Sequence, residues 1–477
     1  MSELLAVRRA KLDRLRADGI DPFPHEFDGV EPIADVIAAH ADLADGEETD
    51  VRHRVAGRLA LRRGGRMMWL DLVDRSGRLQ LQARIDVVGE VAHERLRRQV
   101  DLGDILGVDG TAFRSRSGEL SLRIDDYTIL AKSLRPPPEK HHGLQDVETR
   151  YRRRELDLMA NEEAREVFIT RARAITAMRG YLDAAGYIEV ETPILQPLYG
   201  GALARPFTTH HNALDRDLYL RIATELYLKR AIVGGLERVY EIGKNFRNEG
   251  LSPKHNPEFT VLEFYEAYAD YEDMADRLEA LVAAVVAQTG SQGPVDFTPP
   301  WRRAKLRDAI LEHSGVDFRA HPDRDSLVAA IGDKLPTDGR TWPQLVDDLL
   351  STFVEPTLQQ PTFLFDYPVE LSPLAKRHRS EEGLVERWEA FCGGVEIANA
   401  FTELNDPDDQ RARFEAQARL AAEGDDEAAP YDEAFVAALE QGMPPTGGVG
   451  VGIDRLVMAL TDRPTIREVV LFPAMRD

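Results

Sequence analysis

The stretch from Val51 to Ala131 restricts the fold more than any other part of the sequence. Its five short runs alternate apolar and polar residues and are separated by glycine or Asp-Gly: VAGRLALRR, MMWLDLVD, GRLQLQAR, DILGVDGTAF and LSLRIDDYTILA. A period of two predicts half-buried β-strands, and about five of them in so short a stretch predict a small closed barrel of the OB type. We therefore expect an OB-fold over residues 51–133.

The predicted barrel is also rich in arginine. Trp69 lies among Arg52, Arg54, Arg58, Arg62, Arg63, Arg66, Arg75, Arg78 and Arg84. Aromatic side chains on a basic barrel face stack on single-stranded bases, which makes this region a candidate RNA-binding surface. A solvated arginine face with Trp69 in the core explains the same composition, and both interpretations stay open.

The sequence patterns on either side of the barrel predict helices before it and a linker after it. Residues 1–50 form a helical segment, with an amphipathic helix over 2–18 and a second helix over 31–45. Three consecutive prolines, 136–138, mark a linker over 134–160, which includes the basic run 150–154.

The rest of the chain alternates helix and strand patterns. A long helix is predicted over residues 268–290, and further helices over residues 300–355. The acidic, alanine-rich residues 405–435 predict an exposed helical excursion.

Composition excludes several classes of protein. No apolar run reaches the roughly 18 residues of a membrane-spanning helix, and the charged N-terminal residues do not resemble a secretory signal. Cys392 is the only cysteine, which excludes an intrachain disulfide and fits the reduced cytoplasm. The net charge of −23 argues against nucleic acid as a general partner, although a local basic face can still bind phosphates.

Residues 241–268 predict a β-hairpin around the loop GLSPKHNP. Side chains two apart in a strand share a face, so Arg247 and Glu249 point together. Phe259, Val261, Glu263 and Tyr265 also share a face. An arginine for phosphate and an aromatic ring for a base make this hairpin a candidate nucleotide site. An exposed sheet face with ordinary cross-strand charge pairs is the alternative.

A second strand pattern covers residues 395–403. Asn399, Phe401 and Glu403 share a face, whereas Glu396 has the other parity and serves elsewhere unless a bulge intervenes. Glu389 precedes Glu396 by seven residues, and two carboxylates near a triphosphate commonly hold magnesium. Solvated carboxylates are the alternative interpretation.

Alternating glycines mark a third segment, GGVGVGIDRLVM. Gly448, Gly450 and Gly452 would let a ligand approach the backbone, and Arg455 stands at the start of a helix that favours anions. The spacing does not match a dinucleotide-binding fingerprint, and the chain has no P-loop motif, so side chains must handle phosphate.

Three blocks in this order resemble the signature motifs of the class II aminoacyl-tRNA synthetases. GYIEVETPILQP, which contains Pro193, resembles the dimer-interface motif; the FRNEG and HNPEF hairpin resembles the second motif, and GVGVGIDR the third. The long blocks GGALARPFTTHHNALDRDLYLRIATELYLKR and EIANAFTELND are similar to the lysine-specific family in that class. The resemblance extends over nearly the whole chain. It implies that residues 161–477 form one α+β catalytic domain, an antiparallel sheet flanked by helices, with a helical insertion at about 270–355.

The resemblance implies ATP-dependent attachment of lysine to tRNA(Lys) through lysyl-adenylate, with Mg²⁺ as the cofactor. Arg247 would bind the α-phosphate and the lysine carboxylate, and it would act with Arg455 as a catalytic residue. The remaining implied nucleotide and metal ligands are Glu249 for the adenine amino group, Phe259 for its ring, His255 and Arg455 for the outer phosphates, Asn256 and Gly452 beside them, and Glu389 and Glu396 for magnesium.

The resemblance also implies a lysine site. Glu225 and the backbone of Gly201 would hold the α-amino group, and Asn399 would orient the carboxylate. Glu403 and Tyr265 would meet the ε-ammonium, with Phe401, Glu263 and Gly450 around the stem. Physics agrees, because desolvating a lysine ammonium requires acidic and hydrogen-bonding groups at the end of an apolar channel.

For the barrel, the resemblance implies anticodon binding by Arg62, Trp69, Gln80 and Glu119, although Trp69 stands where the family has phenylalanine. The implied partners are tRNA(Lys), ATP, L-lysine and a second copy of the chain, with neither a membrane nor DNA.

Two alternative functions remain: a related ligase that lysylates a protein and usually lacks the barrel, and a catalytically idle RNA-binding homologue. The barrel and Gly450 argue against the first, and the intact arginine and glutamate set argues against the second.

Overall fold

The structure is a computed structural model that describes residues 3–138, 143–202, 204–422 and 430–476. It divides into two compact units, residues 1–144 and 145–477. No helix among the described residues is both long and apolar enough to cross a membrane.

The first unit is a five-stranded closed barrel with four helices. Its elements in chain order are α1 (Glu3–Ala17), α2 (Ile33–Ala39), β1 (Glu48–Gly64), β2 (Met67–Val73), β3 (Arg78–Arg84), α3 (Ile85–Val88), α4 (Glu90–Arg98), β4 (Ile105–Arg114) and β5 (Leu120–Ala131). The strand order β1-β2-β3-β5-β4 closes the barrel, and the predicted OB-fold is confirmed.

The N-terminal helices share the core of the barrel. Leu15 of α1 and Ile33 of α2 are fully buried in the same apolar cluster as the barrel interior. Leu4 and Val7 in the first half of the predicted amphipathic helix are 48% and 47% exposed, because only the C-terminal half of the helix reaches that core. Residues 1–50 therefore belong to the barrel unit.

The second unit contains the remaining elements. They are α5 (Val147–Arg152), α6 (Arg154–Ala160), α7 (Glu162–Ala184), β6 (Ile188–Glu189), β7 (Leu195–Gln196), β8 (Thr208–His211), β9 (Arg216–Leu220), α8 (Glu225–Val233), β10 (Arg238–Phe246), β11 (Glu258–Ala267), α9 (Tyr271–Thr289), β12 (Arg302–Lys305), α10 (Leu306–Ser314), α11 (Arg324–Ile331), α12 (Trp342–Leu349), β13 (Thr362–Pro368), β14 (Leu384–Cys392), β15 (Val395–Thr402), α13 (Pro407–Ala422), α14 (Glu433–Leu439), β16 (Thr446–Gly452), α15 (Ile453–Thr461) and α16 (Ile466–Val469).

An eight-stranded sheet forms the centre of the second unit, in the order β12-β13-β14-β15-β16-β11-β10-β6. All neighbouring pairs are antiparallel except β12 with β13 and β10 with β6. Helices α7, α9 and α15 bury one face of this sheet in the largest apolar cluster. The opposite face of the sheet carries the candidate active site. The predicted α+β class is confirmed.

Two predicted segments differ from the structure. The basic run 150–154 is part of helices α5 and α6, where Arg154 is 1% exposed, pairs with Asp157 and donates to C-terminal carbonyls including that of Arg467. Arg154 therefore holds the fold together, whereas Arg152 and Arg153 are 37% and 50% exposed and pair with Glu148 and Glu155. The range 300–355, predicted as helices, contains the edge strand β12.

The acidic excursion lies partly outside the described residues. Helix α13 covers its first half, whereas residues 423–429 are among those that the structure does not describe.

Candidate active site

The alternating glycines of β16 form the floor of a trough. Strand β16 lies between β11 and β15, with Gly450 opposite Glu263 and Asn399, and Gly448 opposite Tyr265 and Phe401. The intervening Val449 and Val451 are buried in the core, so the glycines face the other way. Side chains of the two flanking strands therefore stand as walls along a floor without side chains.

The floor at Gly448 has no room for a side chain. An ideal Cβ on Gly448 would lie 2.1 Å from Glu403 Oε1 and 2.4 Å from Tyr265 Cε1. Gly201 is similarly constrained, because it has a φ of +88° and its Cβ would lie 2.9 Å from Ala223 Cβ. Gly450 is less crowded, with the nearest atom, Glu263 Cγ, at 3.7 Å from an ideal Cβ.

The trough ends in a cluster of buried carboxylates. Glu225, Glu263 and Glu403 are 5%, 7% and 1% exposed. Glu263 accepts from Tyr265 Oη at 3.3 Å, while Glu403 Oε1 has no donor among the described residues. Burial is the main reason that the pKa of Glu403 is raised to about 8, and burial also raises the pKa of Glu225 and Glu263. Such a pocket is complementary to a cation.

A lysine of the chain itself lies within this cluster. Lys229 Nζ donates to Glu225 Oε1 at 2.6 Å and contacts Glu403 Oε2 as an ion pair. Its third partner is the carbonyl of Leu374 at 3.3 Å, and its side chain is not exposed at all. The sequence analysis missed Lys229, although its spacing of four from Glu225 in a helical pattern is a signal for a contact.

Arg247 follows strand β10 and lies near the middle of the site. Its guanidinium stacks 5.1 Å from the ring centroid of Phe259, and its buried Nε has no hydrogen-bond partner among the described residues. Burial lowers the pKa of Arg247, and the charges that act on it include Glu263 and Glu396. The guanidinium of Arg247 thus lies between the acidic pocket and the opposite end of the site, and its Nε–H is available to bind an anion.

His255 and Arg455 lie at that opposite end. Arg455 Nη2 donates to His255 Nε2 at 3.1 Å, so His255 is neutral and carries its proton on Nδ1, which lies 2.8 Å from Ser252 Oγ. Burial and the charge of Arg455 lower the pKa of His255, which agrees with this tautomer. Arg455 also donates to Glu396 Oε2 at 2.9 Å.

A β-bulge brings Glu396 to the same face as Asn399. Ala390 pairs with Ala398 and Phe391 pairs with Glu396, so the intervening Ile397 has no partner in the ladder. Ile397 and Ala398 both point into the core, which reverses the parity on the far side of the bulge. The structure therefore has the bulge that the sequence left open as an alternative, and Glu396 does not serve another face.

Glu389 lies on the neighbouring strand. It accepts from Tyr367 Oη at 2.8 Å and contacts Arg387, whose Nε donates to Asn399 Oδ1 at 3.0 Å. Burial, with a contribution from the charge of Glu396, raises the pKa of Glu389 to about 7. The two glutamates therefore repel each other in the absence of a further cation.

The other predicted nucleotide ligands differ in exposure. Glu249 lies beyond the end of β10 and is exposed. Asn256 is buried, and its amide accepts from Ala474 N at 3.2 Å and donates to the carbonyl of Glu258. Gly452 ends β16, opposite Val261.

Another cluster has the spacing of a metal site. Ligand atoms of Asp366, His378 and Glu381 lie within 4.8 Å of one another. The ammonium of Lys305 contacts both carboxylates of this cluster, and Arg319 contacts Glu381 as well, so two cations already balance the two carboxylates. This cluster is therefore an ion-pair network, and its spacing needs no metal ion to account for it.

In the barrel unit, the predicted anticodon residues do not form one group. Trp69 is partly buried and lies on the outer face, outside the apolar core of the barrel. Its ring centroid is 6.3 Å from that of Phe113. The interpretation that placed Trp69 in the core is therefore wrong. Gln80 is also on the outer face and accepts from Ser121 Oγ at 3.1 Å, while Glu119 is exposed.

Arg62 is directed elsewhere. Its Nη1 donates to the carbonyls of Leu96 and Val100 at 2.8 and 2.6 Å. Two neighbours of Trp69 were missed, Phe113 and Arg123, whose guanidinium lies 5.5 Å from the Phe113 ring centroid. The alternation along β4 and β5 is the signal that could have found them.

Comparisons with known proteins agree with this geometry. The family model described as tRNA synthetases class II (D, K and N) matches residues 146–476, and that of an OB-fold nucleic acid binding domain matches residues 50–130. The chain therefore belongs to the class II aminoacyl-tRNA synthetases.

Three relatives of high similarity indicate the amino acid specificity within this class. A lysine–tRNA ligase of Moorella thermoacetica is 52% identical over 484 residues, which span 100% of this chain and 98% of the relative. One from Dehalococcoides mccartyi is 50% identical over 99% of this chain and 97% of its own length, and one from Chloroflexus aurantiacus is 50% identical over 100% and 99%. Within the class, this chain belongs to the lysine–tRNA ligases.

Proposed function

We propose that this chain attaches L-lysine to tRNA(Lys) at the expense of ATP, and that the reaction takes place over the glycine floor of β16. The observation that carries the proposal is the arrangement of charge along one sheet face. Buried carboxylates close one end, Arg247 stands in the middle, and His255 and Arg455 occupy the other end. A substrate with two ammonium groups fits the first end, and a polyphosphate fits the second.

The chemistry needs no nucleophile from the protein. An oxygen of the lysine carboxylate attacks the α-phosphorus of ATP in line, and pyrophosphate leaves as the mixed anhydride lysyl-adenylate forms. The 3′-hydroxyl of the terminal adenosine of tRNA then attacks the anhydride carbon, and AMP leaves. Positioning and neutralisation of charge supply the acceleration in such reactions.

The arginines would act on the reacting groups. Arg247 would donate to the α-phosphate and the lysine carboxylate, with Phe259 beneath the adenine and Glu249 at its amino group. Arg455 and His255 would hold the outer phosphates, with Asn256 and Gly452 beside them.

Glu389 and Glu396 fit a magnesium ion. Their donor set is two carboxylates, and burial, with a smaller contribution from the charge of Glu396, raises the pKa of Glu389 to about 7. A divalent cation between them would favour the ionised form of both carboxylates. When bound, Mg²⁺ neutralises phosphate charge.

The lysine pocket explains the choice of amino acid. Glu225 and the Gly201 backbone would hold the α-amino group, and Asn399 would orient the carboxylate. Glu403, Tyr265 and Glu263 would meet the ε-ammonium, with Phe401 and Gly450 along the stem. A neutral isostere would leave a buried carboxylate unpaired, which disfavours it strongly.

Glu403→Gln tests this assignment. The amide keeps the size of the side chain but removes the charge, so we expect the KM for lysine to rise about 10- to 100-fold, with the KM for ATP within about twofold of wild type. Lysine-dependent ATP–pyrophosphate exchange measures both constants.

Glu279→Gln is the matched control, since Glu279 is a buried carboxylate on the core side that accepts from Trp301 N. Equal losses for lysine and ATP in Glu403→Gln would contradict the pocket assignment.

Charging of purified tRNA separates the alternative functions. Exchange without charging favours a protein-lysylating ligase, and the lack of both activities favours an idle RNA-binding homologue.

The barrel would bind the anticodon through its outer face. Trp69 and Gln80 lie on that face, and Phe113 and Arg123 enlarge it, whereas the hydrogen bonds of Arg62 make it a weaker candidate than the sequence predicts. A stacking platform with an adjacent guanidinium suits single-stranded bases. The affinity of a Trp69→Ala variant for tRNA(Lys) measures this role.

A homodimer is supported by exposed apolar side chains in the Pro193 block. Ile188, Ile194, Leu195 and Leu198 are 41–49% exposed within a few residues of one another. Such a patch suits a self-complementary interface between two copies. Sedimentation equilibrium gives the mass of the particle.

A cytoplasmic location fits the single cysteine. Cys392 is buried, and burial raises the pKa of its thiol to about 12, so the thiol is unreactive and the fold does not depend on oxidation. Cell fractionation measures the location directly.

A further inference from the structure

Lys229 is the one cation inside the acidic end of the trough among the described residues. Its ammonium is fully enclosed and bridges Glu225 and Glu403, the carboxylates that the proposed function assigns to the two ends of the lysine substrate. A buried ammonium is stable only when it is paired, so its presence here is a property of the pocket and not of an exposed helix.

The charges of the pocket can be counted from its neighbours. Helix α8 supplies Glu225 and Lys229, β11 supplies Glu263 and Tyr265, and Glu403 follows β15. Glu241 and Arg387 also act on this pocket, but Glu241 is paired with Arg221 and Arg387 with Glu389. The three carboxylates and one ammonium therefore leave two net negative charges when all are ionised. Free lysine brings two ammonium groups, while its carboxylate belongs to Arg247. The count matches only because Lys229 cancels one of the three.

We infer that Lys229 is a positioning residue for lysine recognition, whose fixed ammonium sets the charge of the pocket to that of the substrate and orients Glu225 and Glu403. This inference rests on the proposed lysine site. Lys229 makes no contact with the reacting atoms; it acts through the two carboxylates. Without it, a third uncompensated carboxylate would take up a proton or turn away from the substrate.

The pH dependence of lysine binding follows from the same groups. In the empty pocket the pKa of Glu403 is about 8, so at neutral pH this side chain holds a proton. The incoming ammonium groups favour the ionised form, and the complex therefore binds fewer protons than the free enzyme. Affinity for lysine then rises with pH, up to about tenfold per unit, until the pH passes about 8. The lysine ammonium stays charged in this window because its pKa is about 10.4.

Lys229→Met tests the inference. We expect the KM for lysine to rise at least about tenfold while the KM for ATP stays within about twofold, since only the acidic end loses a charge. The pH at which the KM for lysine levels off should move upward by about one unit or more, because removing the cation raises the pKa of the neighbouring carboxylates. An unchanged pH profile, or equal changes in both KM values, would overturn the role of Lys229.

The barrel unit offers a matched control. Lys132 is also fully buried between two carboxylates, Asp101 and Asp104. Lys132→Met should lower the melting temperature but leave the lysine pH profile of the exchange reaction unchanged. A shift of that profile in Lys132→Met equal to that in Lys229→Met would assign the effect to general destabilisation.

A second variant protects the test against misfolding. Lys229→Met/Glu263→Gln restores two net negative charges and relieves the repulsion that the single variant creates. We expect it to fold and to bind lysine more tightly than Lys229→Met; a weaker KM in the double variant overturns charge matching. If Glu403→Gln is selective for lysine and Lys229→Met is not, this inference fails while the proposed function stands. If neither is selective, the lysine site itself fails.

Discussion

Arg247→Met should reduce lysine-dependent ATP–pyrophosphate exchange about 1,000-fold or more, because one guanidinium would lose its contacts with both reactants of the first step. Methionine keeps an unbranched apolar stem against Phe259, so the packing of the hairpin is largely preserved. The Nε of Arg247 has no hydrogen-bond partner among the residues that the structure describes, which indicates a donor kept for an anion and not one used by the fold. The measured quantity is kcat/KM for lysine at saturating ATP.

The control for this variant is another arginine of the same sheet. Arg302 lies on the edge strand β12 with a side chain that is 60% exposed. Arg302→Met should stay within about twofold of wild type, since exposed charges contribute little. Retention of more than a tenth of the exchange rate in Arg247→Met would remove Arg247 from the reacting centre.

Gly448→Ala should raise the KM for lysine about 100-fold or more, because the new methyl group occupies the space between Glu403 and Tyr265. Both side chains are buried, and Glu403 is held by Lys229, so neither can retreat without disturbing the acidic cluster. ATP lies at the other end of the trough, and its KM should change little. Exchange kinetics with each substrate varied in turn separate the two constants.

The adjacent Gly447 provides a contrast on the opposite face of the same strand. An added Cβ there would lie 2.7 Å from Met274 Cγ, on the core side. Gly447→Ala should therefore lower the melting temperature without selectivity for lysine. A Gly448→Ala enzyme with a normal KM for lysine would show that the substrate does not lie over this part of the floor.

Local pattern predicts the parts of the fold that depend on side-chain alternation. The barrel strands and the hairpin around 247–259 follow from a period of two, and the structure has both. The alternating glycines predict a backbone that a ligand can approach, but no strand was predicted there, and the structure shows one. The register of β16 between β11 and β15 is non-local, however. Only the sheet order brings Glu263 and Asn399 to the two sides of Gly450.

The misses have physical causes. A bulge reversed the parity of Glu396, and the pattern of residues does not mark where a ladder skips a residue. The structural role of Arg154 could not be predicted, because its partner Asp157 is near in sequence but its carbonyl acceptors are more than 300 residues away. Lys229 was overlooked because a lysine in a lysine-binding pocket is counterintuitive until its carboxylate partners are known.

The unpaired Ile397 has a consequence for the length of the polypeptide. Glu396 and Glu403 are separated by an odd number of positions, yet both are needed over the same trough. A ladder that paired every residue of this stretch would point one of the two acids into the hydrocarbon interior. The one skipped residue restores their common face, so in this segment the count of residues is itself part of the information that specifies the enzyme.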